Sequence, residues 1–125
     1  LRALMHAQSR VTASDGSRSA TGELVLIGNG RLYGGPFAVF PNAELRDGLL
    51  EVCVFPRVNW LTLMRVGPSL LWRRVLPVPA TENFRAGSFT LTSSSTAPLE
   101  VDGELIGWLP AEFSVQRELL RVIVP

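Results

Sequence analysis

The residues of this chain best placed to do chemistry sit at glycine turns. Asp102, Gly103 and Glu104 are consecutive, and so are Arg46, Asp47 and Gly48. A carboxylate can take a proton from a hydroxyl when it lies within hydrogen-bond reach and is held in place. Glu104 is therefore a candidate general base, and Asp102 beside it could hold a second partner. The plain alternative is that Asp-Gly forms a hairpin turn and leaves Glu104 solvated on the next strand. Asp47, with backbone carbonyls of its neighbours, could hold a hard cation such as Mg²⁺, which accepts a mixture of oxygen ligands and waters. Glu44 could add an oxygen there, from its side chain or its carbonyl. Here too the alternative is a turn that only leads into a strand.

A third candidate is the run Gly28-Asn29-Gly30-Arg31-Leu32-Tyr33-Gly34-Gly35. Successive backbone N–H groups can cradle a phosphate. The run lacks the Gly-x-x-x-x-Gly-Lys-Ser/Thr signature, and Tyr33 stands where Gly-x-Gly-x-x-Gly needs its last glycine. Its alternative is a glycine-packed crossing between strands. His6 is the only histidine, which supports neither a triad nor a metal site. Cys53, the only cysteine, lies between Val52 and Val54 and reads as core packing.

These residues need a scaffold, and strand signals dominate. Residues 5–13 alternate, Ser14-Asp15-Gly16-Ser17 marks a turn, and residues 23–28 form a short apolar run; together they read as an antiparallel pair. Residues 37–40 are extended up to Pro41, and residues 49–55 are a strand after the Asp47-Gly48 turn. Asn59 reads as a helix N-cap, with Trp60, Leu63 and Met64 on one face and Gly67-Pro68 at the end. Residues 69–75 allow a second short helix carrying Trp72. From Arg85 the strands resume: Phe89 and Leu91 alternate with threonines, Leu99 and Val101 alternate with acids, and residues 111–115 and 119–124 complete the set. Seven to nine short strands with one or two short helices predict a mainly β, two-layer β-sandwich. The helical segment carries Arg65, Arg73 and Arg74 among its apolar residues. It could rest on an anionic membrane surface or cap the core with its arginines in water.

Composition sets the outer bounds. With 125 residues and 46% hydrophobic content, the chain suits one domain with a modest core. A net charge of +1 gives no nucleic-acid footprint. All 12 basic residues are arginine, so neither a Schiff-base nor a phosphate-loop lysine lies within this chain. A single cysteine rules out a disulfide within the chain and suits a reducing compartment. No signal peptide is visible, and no run approaches the ~18 apolar residues of a spanning helix. Because the chain opens at Leu1, residues 1–125 are expected to be one domain cut from a longer protein.

Taken in order, Gly28-Asn29-Gly30, Tyr33-Gly34-Gly35, Pro41-Asn42-Ala43, Asp47-Gly48-Leu49-Leu50-Glu51-Val52 and Val101-Asp102-Gly103-Glu104 resemble one pattern. It is that of the C-terminal domain of the bacterial diacylglycerol kinase family, relatives of sphingosine and ceramide kinases within an NAD-kinase-like superfamily. The resemblance implies a two-domain lipid kinase. An N-terminal α/β nucleotide-binding domain with a Gly-Gly-Asp-Gly-Thr motif, absent from this chain, would precede the sandwich, and ATP and the lipid would meet between them. It gives Glu104 the general-base role and places Asp102, Gly103 and Glu104 near the nucleotide. It assigns a structural Mg²⁺ to the Asp47 carboxylate and the Glu44 and Leu49 carbonyls. The implied partners are a lipid substrate at the membrane surface and the nucleotide domain, with a homodimer open. The implied location is cytoplasmic, peripheral on the inner face of the membrane. The chain departs from the family near its end, where Gln116-Arg117-Glu118-Leu119 replaces a Pro-x-Ala-Leu stretch. Two alternatives stand beside this: an NAD-kinase-like activity on a soluble substrate, and a non-catalytic sandwich that binds lipid or protein.

Overall fold

The computed structural model describes residues 9–33, 37–59, 61, 64, 67, 68, 72 and 81–117. Within them the chain forms strands β1 Val11–Ser14, β2 Ser19–Gly22, β3 Leu24–Gly28, β4 Leu32–Tyr33, β5 Phe37–Ala38 and β6 Leu50–Phe55. After the helical region come β7 Glu82–Ala86, β8 Ser88–Ser93, β9 Pro98–Val101, β10 Glu104–Trp108 and β11 Ala111–Ser114. A four-stranded sheet runs β11-β8-β1-β2 and a three-stranded sheet β3-β6-β7, while β9-β10 and β4-β5 are separate two-stranded ribbons. All the pairings are antiparallel. The two larger sheets bury a shared core, which is the two-layer β-sandwich that the strand pattern predicts.

Strand β6 shows why the sequence folds this way. Val52 and Val54 point into the core between the sheets, joined by Val11, Ala13, Phe84, Phe89 and Leu91. Cys53 and Phe55 point to the opposite face and pack with Val39, Phe40 and Ala43. A strand covered on both faces reads as a continuous apolar run rather than an alternation, which is what Val52-Cys53-Val54-Phe55 is. Burying a side chain such as Val54 is worth roughly 1.5–3 kcal/mol over leaving it exposed. Among the described residues the four-stranded sheet is covered on one face only, and it alternates accordingly. Val11 and Ala13 face the core while Thr12 faces outward, its hydroxyl 2.8 Å from that of its cross-strand partner Thr21. On β8, Phe89 stacks on Phe113 of β11 at 5.2 Å and meets Phe84 edge-on at 6.3 Å.

One expected pairing is different. The turn at Asp15 joins β1 not to the apolar run at 24–28 but to β2, whose sequence Ser-Ala-Thr-Gly carries no hydrophobic signal. The apolar run becomes β3 in the other sheet, where it pairs with β6. The chain changes sheets at Gly22 and Glu23, and Glu23 N–H donates to the Phe55 carbonyl at 2.9 Å. Asp15 itself organises the β1–β2 turn. Its Oδ1 accepts from the backbone N–H of Ser17 (3.0 Å) and of Arg18 (2.7 Å), and its Oδ2 pairs with the Arg18 guanidinium at 3.3 Å. These donors, the Arg18 N–H foremost, hold the Asp15 carboxyl down at about 2.

The backbone is helical at Leu61, Met64, Gly67, Pro68 and Trp72, so Gly67 and Pro68, expected as a helix end, are themselves in helical conformation. Leu61, Met64 and Trp72 are exposed. His6, the strand expected over 119–124, and the remainder of the two expected helices lie outside the described residues.

Candidate functional site

The Asp102 hairpin projects as its own ribbon. Val101 and Glu104 are direct cross-strand partners, so Asp102 and Gly103 form a two-residue loop. Asp102 has φ 51° and Gly103 has φ 83°. Positive φ at both loop positions is the type I′ signature, whose twist matches that of the flanking strands. The tripeptide is therefore a hairpin turn, and the turn fixes where Glu104 leaves it. Glu104 shares its face of the ribbon with Val101, and Leu105 shares the other with Glu100 and Trp108. The register shifts between Leu105 and Gly107, at Ile106. Val101, Leu105, Ile106 and Trp108 are all exposed, so Glu104 stands on a ribbon with apolar side chains open to solvent. Its carboxylate is also exposed, and among the described residues nothing pairs with it.

The Asp47 turn is built differently. Gly48 has φ 71°, which a side-chain-bearing residue adopts at a cost. Asp47 Oδ1 accepts from the Leu49 N–H at 2.9 Å, and the Asp47 N–H reaches the Glu44 carbonyl at 3.5 Å. Two arginines converge on the turn. Arg85, on β7, pairs through Nη2 with Asp47 Oδ2. Its Nε lies 2.5 Å from Glu51 Oε1, on the neighbouring strand and in direct register. Those two atoms are buried but not aligned as a hydrogen bond, so the contact is an ion pair. Arg117 donates from Nη2 to the Asp47 carbonyl at 2.9 Å, with its guanidinium against Gly48.

This arrangement does not fit the Mg²⁺ that the resemblance assigned to Glu44, Asp47 and Leu49. Both Asp47 carboxylate oxygens already have partners, the Leu49 N–H on Oδ1 and the Arg85 guanidinium on Oδ2. Sequence reasoning missed Arg85, Glu51 and Arg117 as members of this cluster. Glu51 and Arg85 stand out as charges inside strand sequence, yet only the β6–β7 register shows that they meet.

The glycine run divides along similar lines. A side chain on Gly28 would fall 2.3 Å from the Phe40 ring, so this glycine admits the ring against β3. Neither Gly28 nor Gly30 has positive φ, whereas an anion-binding nest needs such a residue. The run thus serves strand packing as far as it is described; Gly34 and Gly35 lie outside the described residues. Cys53 is buried on the face of β6 turned away from the core between the sheets, and burial pushes its thiol up, partly offset by a hydrogen bond with Thr81. A concavity bordered by Ser14, Asp15, Glu112 and Ser114 at the end of the four-stranded sheet holds none of the expected site residues.

The architecture is that of an antiparallel β-sandwich domain, and comparison with known proteins gives the family. Residues 1–124 match the model of the YegS C-terminal NAD kinase beta sandwich-like domain, and the chain belongs to that family. It is 28% identical over 113 residues to diacylglycerol kinases of two Mycobacterium tuberculosis strains, CDC 1551 and H37Rv. The alignment covers 89% of this chain and 36% of each relative, so the chain spans about a third of their length. Its fold superposes on a crystal structure of a diacylglycerol kinase from Bacillus anthracis str. Sterne with a TM-score of 0.67 at 17% identity. That superposition covers 90% of this chain and 41% of the other.

Proposed function

We propose that residues 1–125 form the acceptor-side domain of an ATP-dependent lipid kinase, with the nucleotide-binding domain supplied by the remainder of a longer protein. The observation that carries this reading is the hairpin. It sets the exposed carboxylate of Glu104 directly after a two-residue turn, with exposed Val101 on its own face of the ribbon and exposed Leu105 and Trp108 on the other. A lipid hydroxyl at the end of an apolar tail presents matching chemistry, and exposed apolar surface of this kind marks interaction sites. The names of the mycobacterial relatives support the same class of acceptor.

In the proposed reaction the lipid hydroxyl oxygen attacks the γ-phosphorus of ATP. The new O–P bond forms as the bond from phosphorus to the bridging oxygen breaks, ADP leaves, and the hydroxyl proton passes to the Glu104 carboxylate. Catalysis of this kind rests on positioning and electrostatics more than on covalent chemistry. Asp102 and Gly103 shape the turn that aims Glu104 and would stand near the nucleotide. ATP arrives with its own Mg²⁺ as substrate. Among the described residues no helix is long and apolar enough to cross a membrane, and the proposal places the protein at the cytoplasmic face, meeting lipid from the surface.

Supplying the full-length protein with γ-labelled ATP and either diacylglycerol vesicles, sphingosine vesicles or NAD separates the readings. Label in a lipid supports this one. Label in NAD supports the soluble-substrate alternative, and label in neither points to a binding module.

A further inference from the structure

We propose that arginine replaces a divalent cation at the Asp47 turn, so that this chain holds the turn by an internal Asp47–Arg85–Glu51 bridge, clamped by Arg117, and needs no metal there. The inference concerns stability and stands whether or not the sandwich serves a kinase.

Charge and geometry carry it. A divalent ion at a turn does two things: it neutralises carboxylate charge, and it ties oxygens from separate segments to one point. Here the Arg85 guanidinium does both. It touches Asp47 on the turn and Glu51 on β6 from its own position on β7, so one planar cation joins the turn to two strands. Guanidinium suits this because its donors form a rigid fork that can meet two carboxylates at once. The Arg117 guanidinium supplies a second positive charge and caps the Asp47 carbonyl. Two arginines thus face two carboxylates, and the cluster is balanced before any ion arrives. Bringing in a further double positive charge would require displacing Arg85 from Asp47. It would also leave Arg85 Nε and Glu51 Oε1, both buried, to find new partners, which is costly for charged groups. The Asp47 side of the bridge is mostly shielded from water, with 19% of that side chain exposed, and Glu51 has 12% exposed. Such a pair is screened by salt less than a surface pair would be.

The test is thermal melting of the full-length protein in MgCl₂, in CaCl₂ and in EDTA, for the wild type and for Asp47→Asn. A ligand that binds only the folded state raises Tm in proportion to the logarithm of its excess over Kd. The expected result is the same metal-minus-EDTA difference in both proteins, within about 1 °C. A wild-type difference of several degrees that Asp47→Asn abolishes overturns the proposal. Arg85→Ala tests the other half, and its expected result is a Tm several degrees below wild type in EDTA. Melting equal to wild type there also overturns it. Should Arg85→Ala not fold, Arg85→Lys makes the same comparison with a smaller loss, because ammonium keeps the charge but cannot span both carboxylates.

Discussion

Gly22 is the point at which the chain leaves one sheet for the other, and the same Gly→Ala change there and at Gly107 should act with opposite sign. A Cβ placed on Gly22 would lie 2.2 Å from the Phe55 carbonyl oxygen, 2.7 Å from its carbon and 2.7 Å from Val54 Cγ1. Two of those three atoms are backbone of β6. They cannot rotate away, and the carbonyl is held by the Glu23 N–H. The sheets must therefore separate locally. Overpacking of this kind costs about 1–3 kcal/mol, and weakening the Glu23 bond adds about 1 kcal/mol. Alanine returns about 0.4–1 kcal/mol by restricting the unfolded chain. The net is a loss of roughly 1–3 kcal/mol, or about 3–6 °C in Tm per kcal/mol for a domain of this size. Gly107 has open space around its Cβ position and no positive φ, so Gly107→Ala should gain about 0.4–1 kcal/mol. Urea and thermal unfolding of the wild type and both variants, side by side, read the difference. Gly22→Ala at or above wild-type stability would refute the close approach of the sheets at this point.

Two further outcomes follow from the structure. Asp15 is lowered from 3.8 to about 2 by the hydrogen bonds of its turn; a depressed carboxyl contributes stability that is complete above the unfolded value and lost as pH falls through the folded one. Stability should therefore drop between about pH 4 and pH 2, and Asp15→Asn should remove that part of the slope; an unchanged slope would contradict the turn. Cys53 is buried and its thiol is raised, so iodoacetamide should label it at neutral pH only after unfolding; rapid labelling of the native protein would place it at the surface instead.

How much was legible in the sequence depended on which interactions a residue makes. The apolar run at Val52-Cys53-Val54-Phe55 announces a strand buried on both faces because its neighbours in sequence already carry the pattern. Asp102-Gly103 announces a hairpin because the loop conformation is a local property of those two residues. Strand β2 was missed for the converse reason. Ser19, Thr21 and Gly22 give no period, and what pins them is β1 alongside and β6 behind. The partners of Asp47 were out of reach for the same reason at longer range. Arg85 and Arg117 lie 38 and 70 residues away in sequence, and only the β6–β7 register and the path of the chain after β11 bring them to the turn. A motif shows which oxygens a turn could offer, and the fold decides what takes them.

The claim on which the functional account turns is that Glu104 receives the acceptor proton. Glu104→Gln keeps the size and polarity of an exposed side chain on an intact hairpin, so folding should be unaffected, while the base is lost. In the full-length protein, steady-state transfer of labelled phosphate from ATP to the accepted lipid should fall in kcat by about 10²–10⁴, with wild-type Tm. A fall of less than about threefold in a folded variant, against the 10²–10⁴ that general-base catalysis supplies, would contradict the account and leave the hairpin as a contact surface.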